Sequence, residues 1–165
     1  MTLQNFEKAR TNMVLSQLQP SGIVSELVMA AYQSVPREMF VPNTLRGVSY
    51  LDDDIALGGG RSLMEPLLHA LMVQAAGLTS ADKVLDIGGA TGYSAAVLAH
   101  VAGSVVAVEQ EEKLLQEASS QWKELGLSSR INAIVGDHVG GYASGAPYKA
   151  IIINGAVAEI PVKLL

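Results

Sequence analysis

The stretch Val84-Leu85-Asp86-Ile87-Gly88-Gly89-Ala90-Thr91-Gly92 decides the fold. A short apolar run closes on an acid and passes into a loop of small residues. Helical periodicity then runs from Gly92 to Val101. Working outward, further short apolar runs read as strands over Lys83–Ile87, Ser104–Glu109, Ile131–Val135 and Tyr148–Ile153. A helical pattern over Glu111–Leu125, stopped by Gly126, lies between the second and third of these. Strands alternating with helical crossovers build an α/β fold, a doubly wound and mostly parallel sheet buried on both faces. The runs Val105-Val106-Ala107-Val108 and Ile151-Ile152-Ile153 suit central strands of that sheet.

The pattern before position 80 is different. Apolar positions over residues 3–18 recur mostly at helical spacing, and Pro20-Ser21-Gly22 breaks the helix. Ile23–Gln33 reads as a second helix, with Leu27, Val28, Ala30 and Ala31 as its buried face. Pro36 ends it, because proline disfavours helix at the residue before it. Residues 43–60 read as loop, with Asp52-Asp53-Asp54 and Gly58-Gly59-Gly60. Pro66 suits the first turn of a helix reaching about Ala76, with Gly77 as its stop. We expect a single domain over 1–165, made of a helical segment over 1–80 and strand–helix units over 81–165.

Composition narrows the function classes. Of the 165 residues, 49% are apolar, enough for a buried core. The chain has no Cys, which removes disulfides, thiolate metal sites and a Cys nucleophile, and fits a reducing compartment. A net charge of −5 argues against a general nucleic-acid binder. Met1–Arg10 carries Glu7, Lys8 and Arg10 and does not read as a signal peptide. Asp86, His100 and several glycines interrupt the apolar stretch Val84–Val108, so it does not read as a membrane span. The expectation is a soluble cytoplasmic protein with no membrane or nucleic-acid partner and no metal. Consecutive acids at Asp52–Asp54 suit a solvated turn. His100 and His138 stand isolated and read as structural or solvent-facing, and Trp122 reads as packing.

Ligands of doubly wound sheets bind at the carboxyl ends of the strands. Gly88 and Gly92 let the backbone turn tightly and approach a ligand. In a dinucleotide loop the last glycine of G-x-G-x-x-G would fall at Tyr93, and Asp86 would lie against phosphates. An anion there repels a polyphosphate and attracts a cationic amino acid. The pattern Asp86-x-Gly88-x-Ala90-x-Gly92 therefore suits the methionine end of S-adenosylmethionine; an ordinary tight turn is the alternative. Glu109 closes the next strand, where an acid can accept both ribose hydroxyls, or it opens the solvated run Glu109–Lys113. Asp137, after Gly136, can accept from an adenine amine or cap a turn. Three acidic strand ends aligned with one glycine loop are more specific than any one of them.

From about Asn12 to Leu165 the chain resembles the protein-L-isoaspartate O-methyltransferases, class I S-adenosylmethionine-dependent enzymes with a Rossmann-like sheet. The resemblance rests on Met13-Val14, Gln17-Leu18 and Gly22-Ile23, and on the string Val35-Pro36-Arg37-Glu38-Met39-Phe40-Val41-Pro42. It continues through Tyr50-Leu51-Asp52, Leu57–Gly60, Asp86–Tyr93, Gly136-Asp137 and Ala146-Pro147-Tyr148. It implies methyl transfer to the free carboxylate of L-isoaspartyl (or D-aspartyl) residues in damaged proteins, a repair reaction. It also implies further strands and helices beyond Leu165, so that the C-terminal part of the sheet is expected to be missing from this chain.

Cofactor contacts implied by the resemblance are Arg61, Ser62, Leu63, Met64, His69, Asp86, Gly88, Gly89, Gly92, Glu109, Gln110, Gly136 and Asp137. The implied catalytic positions are Ser62 and Met64, Met64 standing where the family carries its active-site serine. Other departures are Arg61, Glu65, Ala90, which a compatible backbone angle would tolerate, and Asn154-Gly155 at the end of the fourth strand. Two alternatives stay open: a degenerate member that binds S-adenosylmethionine without isoaspartyl activity, and a methyltransferase with another carboxylate acceptor. Tyr93 and Asp86 disfavour a nicotinamide-dependent oxidoreductase.

Overall fold

The helical spacing over residues 3–18 is realised with a change of winding. Helix α1 spans Leu3–Met13 and passes into a π-helical turn over Val14–Leu18, where Gln19 N–H donates to the Val14 carbonyl at 3.0 Å. The computed structural model describes residues 3–164; Met1, Thr2 and Leu165, at the ends of the expected domain, lie outside the described residues. The chain forms two compact units, Met1–Gly77 and Leu78–Leu165, divided close to the change of pattern near position 80.

In the first unit, α2 covers Glu26–Ser34. It starts three residues after the expected Ile23 because Ser25 caps it, its Oγ accepting from Val28 N–H at 3.3 Å. Its buried face is Val28, Ala31 and Tyr32, while Leu27 and Ala30 are exposed, a correction to the expected register. The segment 43–60, read as loop, holds strand β1 (Ile55–Gly58), which forms a hairpin by pairing antiparallel with β2 (Arg61–Leu63) just beyond it. Gly59 and Gly60 turn it at φ +59° and +75°. Helix α3 spans Pro66–Ala75, with proline in its first turn. Asp54 Oδ1 accepts from Glu65 N–H at 2.8 Å and Asp52 Oδ1 from Leu67 N–H at 3.0 Å. The acidic run is thus not merely a solvated turn: two of its members hold the entry to α3.

The second unit contains β3 (Lys83–Ile87), α4 (Tyr93–Val101), β4 (Ser104–Glu109), α5 (Glu112–Glu124), β5 (Ile131–Val135) and β6 (Ala150–Ile153). All strand pairs are parallel, in the order β5-β4-β3-β6. The expected α/β doubly wound class is therefore realised. The chain runs from β3 through β4 to β5, then crosses back to pair β6 on the other flank of β3. This reversal places the topological switch, where such sheets bind ligands, at the carboxyl end of β3. Among the described residues β6 is an edge strand. Ile152 is buried, but Ile151 and Ile153 are only half-covered, so the expectation of a doubly buried central strand holds for β4 and not for β6.

Helix α5 buries Leu115, Ala118 and Trp122, three and seven residues along one face. Trp122 Nε1 donates to the Gly92 carbonyl at 2.8 Å, which ties α5 to the glycine loop. Gly92 starts α4 at φ +93°, and a Cβ added there would lie 2.6 Å from Ala118 and 2.7 Å from Trp122. Left-handed strain and overpacking then add. Gly92→Ala is expected to lower stability by about 2–4 kcal/mol in chemical denaturation, with loss of the Trp122 fluorescence signature of the native state.

Candidate active site

The last residues of β3 set the site. Asp86 is 1% exposed, an acid among the buried apolar Val84, Leu85 and Ile87 of its strand. Its Oδ1 accepts from Ser94 Oγ at 2.6 Å, from the first turn of α4, and from Asn154 Nδ2 at 2.7 Å, just past β6. Its Oδ2 is buried with no hydrogen-bond partner. A Cβ at Gly89 would lie 2.8 Å from that oxygen, so the missing side chain leaves the carboxylate uncovered by the loop. Burial raises the Asp86 pKa from 3.8 to about 6, the Ser94 and Asn154 bonds opposing and the nearby Glu109 charge assisting.

Glu109, at the end of β4, is 2% exposed. Its Oε2 accepts from Ala90 N–H at 3.1 Å, and its Oε1 from Gln110 N–H at 2.9 Å and Glu111 N–H at 3.1 Å. The carboxylate therefore joins the glycine loop to the entry of α5. A small cleft lined by Asp86, Gly89, Ala90, Gly92, Glu109 and Trp122 separates the two acids.

Ala90 adopts φ +49°. The angle is left-handed and not the compatible one expected for an alanine; it costs roughly 1–2 kcal/mol and is held by the Glu109 bond. Gly136 N–H donates to the Glu109 carbonyl at 3.0 Å, continuing the parallel ladder. Asp137 is exposed, and its Oδ2 accepts from Gly140 N–H at 3.1 Å, so its described contact is the turn. Gln110, just past β4, is exposed.

Two residues of this cluster escaped the sequence reading. His138 was expected to be structural or solvent-facing, yet its Nε2 lies 3.3 Å from Glu109 Oε1 and its ring covers Gly88. Asn154 appeared only as a departure, yet it clasps Asp86. The signal for both was position: Asn154 directly follows β6, which is in register with β3, and His138 comes shortly after β5, which is in register with β4.

The first unit carries the other expected residues. Ser62 is exposed on β2, Arg61 and Met64 are half-buried, and Leu63 is buried. The Met64 carbonyl accepts from Arg37 Nη2 at 2.7 Å, and Arg37 Nε donates to the Ser49 carbonyl at 2.8 Å. Arg37 is fully buried, so the Val-Pro-Arg-Glu string supplies an internal strut to the segment holding Met64. His69 is buried and shares a hydrogen bond with the Tyr32 hydroxyl through Nδ1. Burial, reinforced by the Arg37 charge, lowers the His69 pKa from 6.5 to about 3 and keeps the imidazole neutral. Among the described residues no cluster of three or more His, Cys, Asp or Glu side chains forms a metal site. Among them, too, no helix is long and apolar enough to cross a membrane.

A parallel sheet with an acid-ended glycine loop at its switch point defines a Rossmann-like methyltransferase fold. The family model for protein-L-isoaspartate(D-aspartate) O-methyltransferase matches residues 9–165. Protein-L-isoaspartate O-methyltransferase 2 of Anaeromyxobacter sp. (strain Fw109-5) is 39% identical over 158 residues, which are 96% of this chain and 65% of that protein. The enzyme of Methylorubrum extorquens (strain PA1) is 38% identical over 154 residues, 93% of this chain and 67% of that protein. A solved protein-L-isoaspartate O-methyltransferase superposes with TM-score 0.80 at 29% identity, covering 94% of this chain and 50% of that one. The chain belongs to the protein-L-isoaspartate(D-aspartate) O-methyltransferase family, and it spans between half and about two thirds of the length of these relatives.

The neutral, buried His69 makes the first unit sensitive to acid. Its folded pKa is depressed, so the unfolded chain takes up the proton first. Stability is fully present above about 6.5 and is lost as pH falls toward about 3. The limiting slope is about 1.4 kcal/mol per pH unit for one such site. His69→Gln, which keeps a polar partner for Tyr32, is expected to flatten the stability curve in this window when denaturation midpoints are compared.

Proposed function

We propose that the chain binds S-adenosyl-L-methionine and serves methyl transfer to the free carboxylate of L-isoaspartyl (or D-aspartyl) residues in damaged proteins of the cytoplasm. The observation that carries this reading is the Asp86 carboxylate, with one buried oxygen unpartnered beneath the side-chain-free Gly89. That oxygen fits an ammonium, and the cradle around it fits the amino-acid end of the cofactor. A Plasmodium falciparum protein of the same fold, 16% identical and with TM-score 0.75, was solved in complex with S-adenosyl-L-homocysteine.

When bound, S-adenosylmethionine supplies an electrophilic methyl group. Asp86 would receive the ammonium, and Glu109, held by Ala90, Gln110 and Glu111, would accept from the ribose hydroxyls. Gly88, Gly89 and Gly92 would let the loop approach, and Gly136-Asp137 with Gln110 would border the nucleoside. For the methyl acceptor we assign the segment Arg61-Ser62-Leu63-Met64 of the first unit. The exposed Ser62 hydroxyl can donate to a substrate carboxylate without neutralising it, and Arg61 offers a cation. An ionised carboxylate is already a nucleophile, so this chain has only to align it and shed its water.

Titration calorimetry with S-adenosylhomocysteine is expected to show binding that Asp86→Asn weakens roughly 10–100-fold, the worth of a charge-assisted hydrogen bond. Below about pH 6 Asp86 holds its own proton, so affinity should fall by up to about tenfold per unit there, and Asp86→Asn should abolish that dependence. An isoaspartyl peptide should acquire a base-labile methyl ester. Cofactor binding without ester would remove the acceptor assignment. Met64 favours a second reading, a cofactor-binding member with weak turnover, because its thioether has no donor. On that reading Met64→Ser raises ester formation at least tenfold while S-adenosylhomocysteine affinity stays unchanged.

A further inference from the structure

We propose that Asn154 is a positioning residue, whose amide fixes the Asp86 carboxylate so that Oδ2 is aimed at the gap left by Gly89 as the receptor for an ammonium group; this rests on the cofactor reading above. The Asn154 backbone N–H donates to the Ile87 carbonyl at 2.9 Å, which pins the residue across the switch point from β3. Its Nδ2 donates twice, to Asp86 Oδ1 at 2.7 Å and to the same Ile87 carbonyl at 3.1 Å. Two acceptors on one nitrogen define the amide's orientation, because its oxygen would repel both. Ser94 Oγ, at 2.6 Å, fills the remaining capacity of Oδ1 from the opposite side. A carboxylate held through Oδ1 by donors on two elements cannot rotate without breaking both bonds. Its other oxygen is then the one presented to a ligand.

The arrangement also governs the charge of Asp86. Glu109, from β4, is the charged group facing it, and His138 stands behind Glu109. Burial and Glu109 oppose ionisation, while the Asn154 and Ser94 bonds favour it. Removing the amide therefore disorients the receptor and discharges it near neutral pH.

The test pairs a direct titration with a binding curve. Carbon-13 NMR of labelled aspartate follows the Asp86 carboxyl in the wild type, Asn154→Ala and Asn154→Ser, with amide spectra reporting the fold. The expected result is a midpoint about one pH unit higher in Asn154→Ala, with Asn154→Ser in between because it restores one donor. S-adenosylhomocysteine affinity should drop about fivefold at pH 6 and about twofold at pH 7 in Asn154→Ala, and recover as pH is raised above its new midpoint. An unchanged midpoint, or a loss of affinity that persists undiminished at high pH, overturns the proposal. A wild type that binds no S-adenosylhomocysteine at any pH removes the cofactor reading, while the NMR midpoints still decide whether Asn154 controls Asp86.

Discussion

A carboxylate buried at the end of a central strand is the constraint around which the second unit is built. Taking a charge out of water costs several kcal/mol unless partners replace the lost hydration. Asp86 has partners for one oxygen only. Ser94 and Asn154 come from α4 and from the end of β6, so the acid gathers the first turn of the helix and the neighbouring strand to β3. The uncompensated half is what a core would not tolerate without a use. A solvated aspartate or a leucine at this position would be easier to accommodate, and neither would give a site its charge.

Glu109 completes the constraint from β4. Its two oxygens collect three backbone N–H groups, from the glycine loop and from the approach to α5. Trp122 returns from α5 to the Gly92 carbonyl and closes the circuit. The loop is thus fixed by contacts on three sides, which explains how Ala90 can be held at φ +49° without glycine there. The two acids lie close enough for Glu109 to oppose ionisation of Asp86. The site therefore carries stored like-charge repulsion, which a cation relieves and an anion increases.

Strands β3, β4 and β5 match their expected limits to the residue, because each centres on apolar residues rich in Val and Ile, and β3 and β5 stop at a glycine. The hairpin β1–β2 was hidden by its composition: Asp52–Asp54 and Gly58–Gly60 signal loop, and the two strands are only four and three residues long. The glycine loop and both acids were legible from local pattern. His138 and Asn154 were not, since neither is marked by type or spacing. Their roles arise from pairing across the sheet, with Asn154 separated from Asp86 by 68 positions. Leu27 and Ala30 show the converse failure. Their apolar character suggested burial, but the capping Ser25 and tertiary packing turned a different face inward.

The direction in which the loop spends its donors separates the possible nucleotides. Phosphate-binding loops turn their N–H groups outward, to a pyrophosphate at the start of a helix. Here Gly88 N–H goes to the Val108 carbonyl, Ala90 N–H to Glu109 and Gly92 N–H to the Gly89 carbonyl. Three donors that could hold a phosphate are turned inward. Asp86, by contrast, keeps one buried oxygen unpartnered. A dinucleotide would bring its negative phosphates against Asp86 and find these amides already used. A nucleoside joined to a cationic amino acid meets the opposite balance, a positive charge against acids. The same short loop at the same switch point thus discriminates between ligand classes through the sign of the charge it presents, and that sign is set by the acids closing β3 and β4.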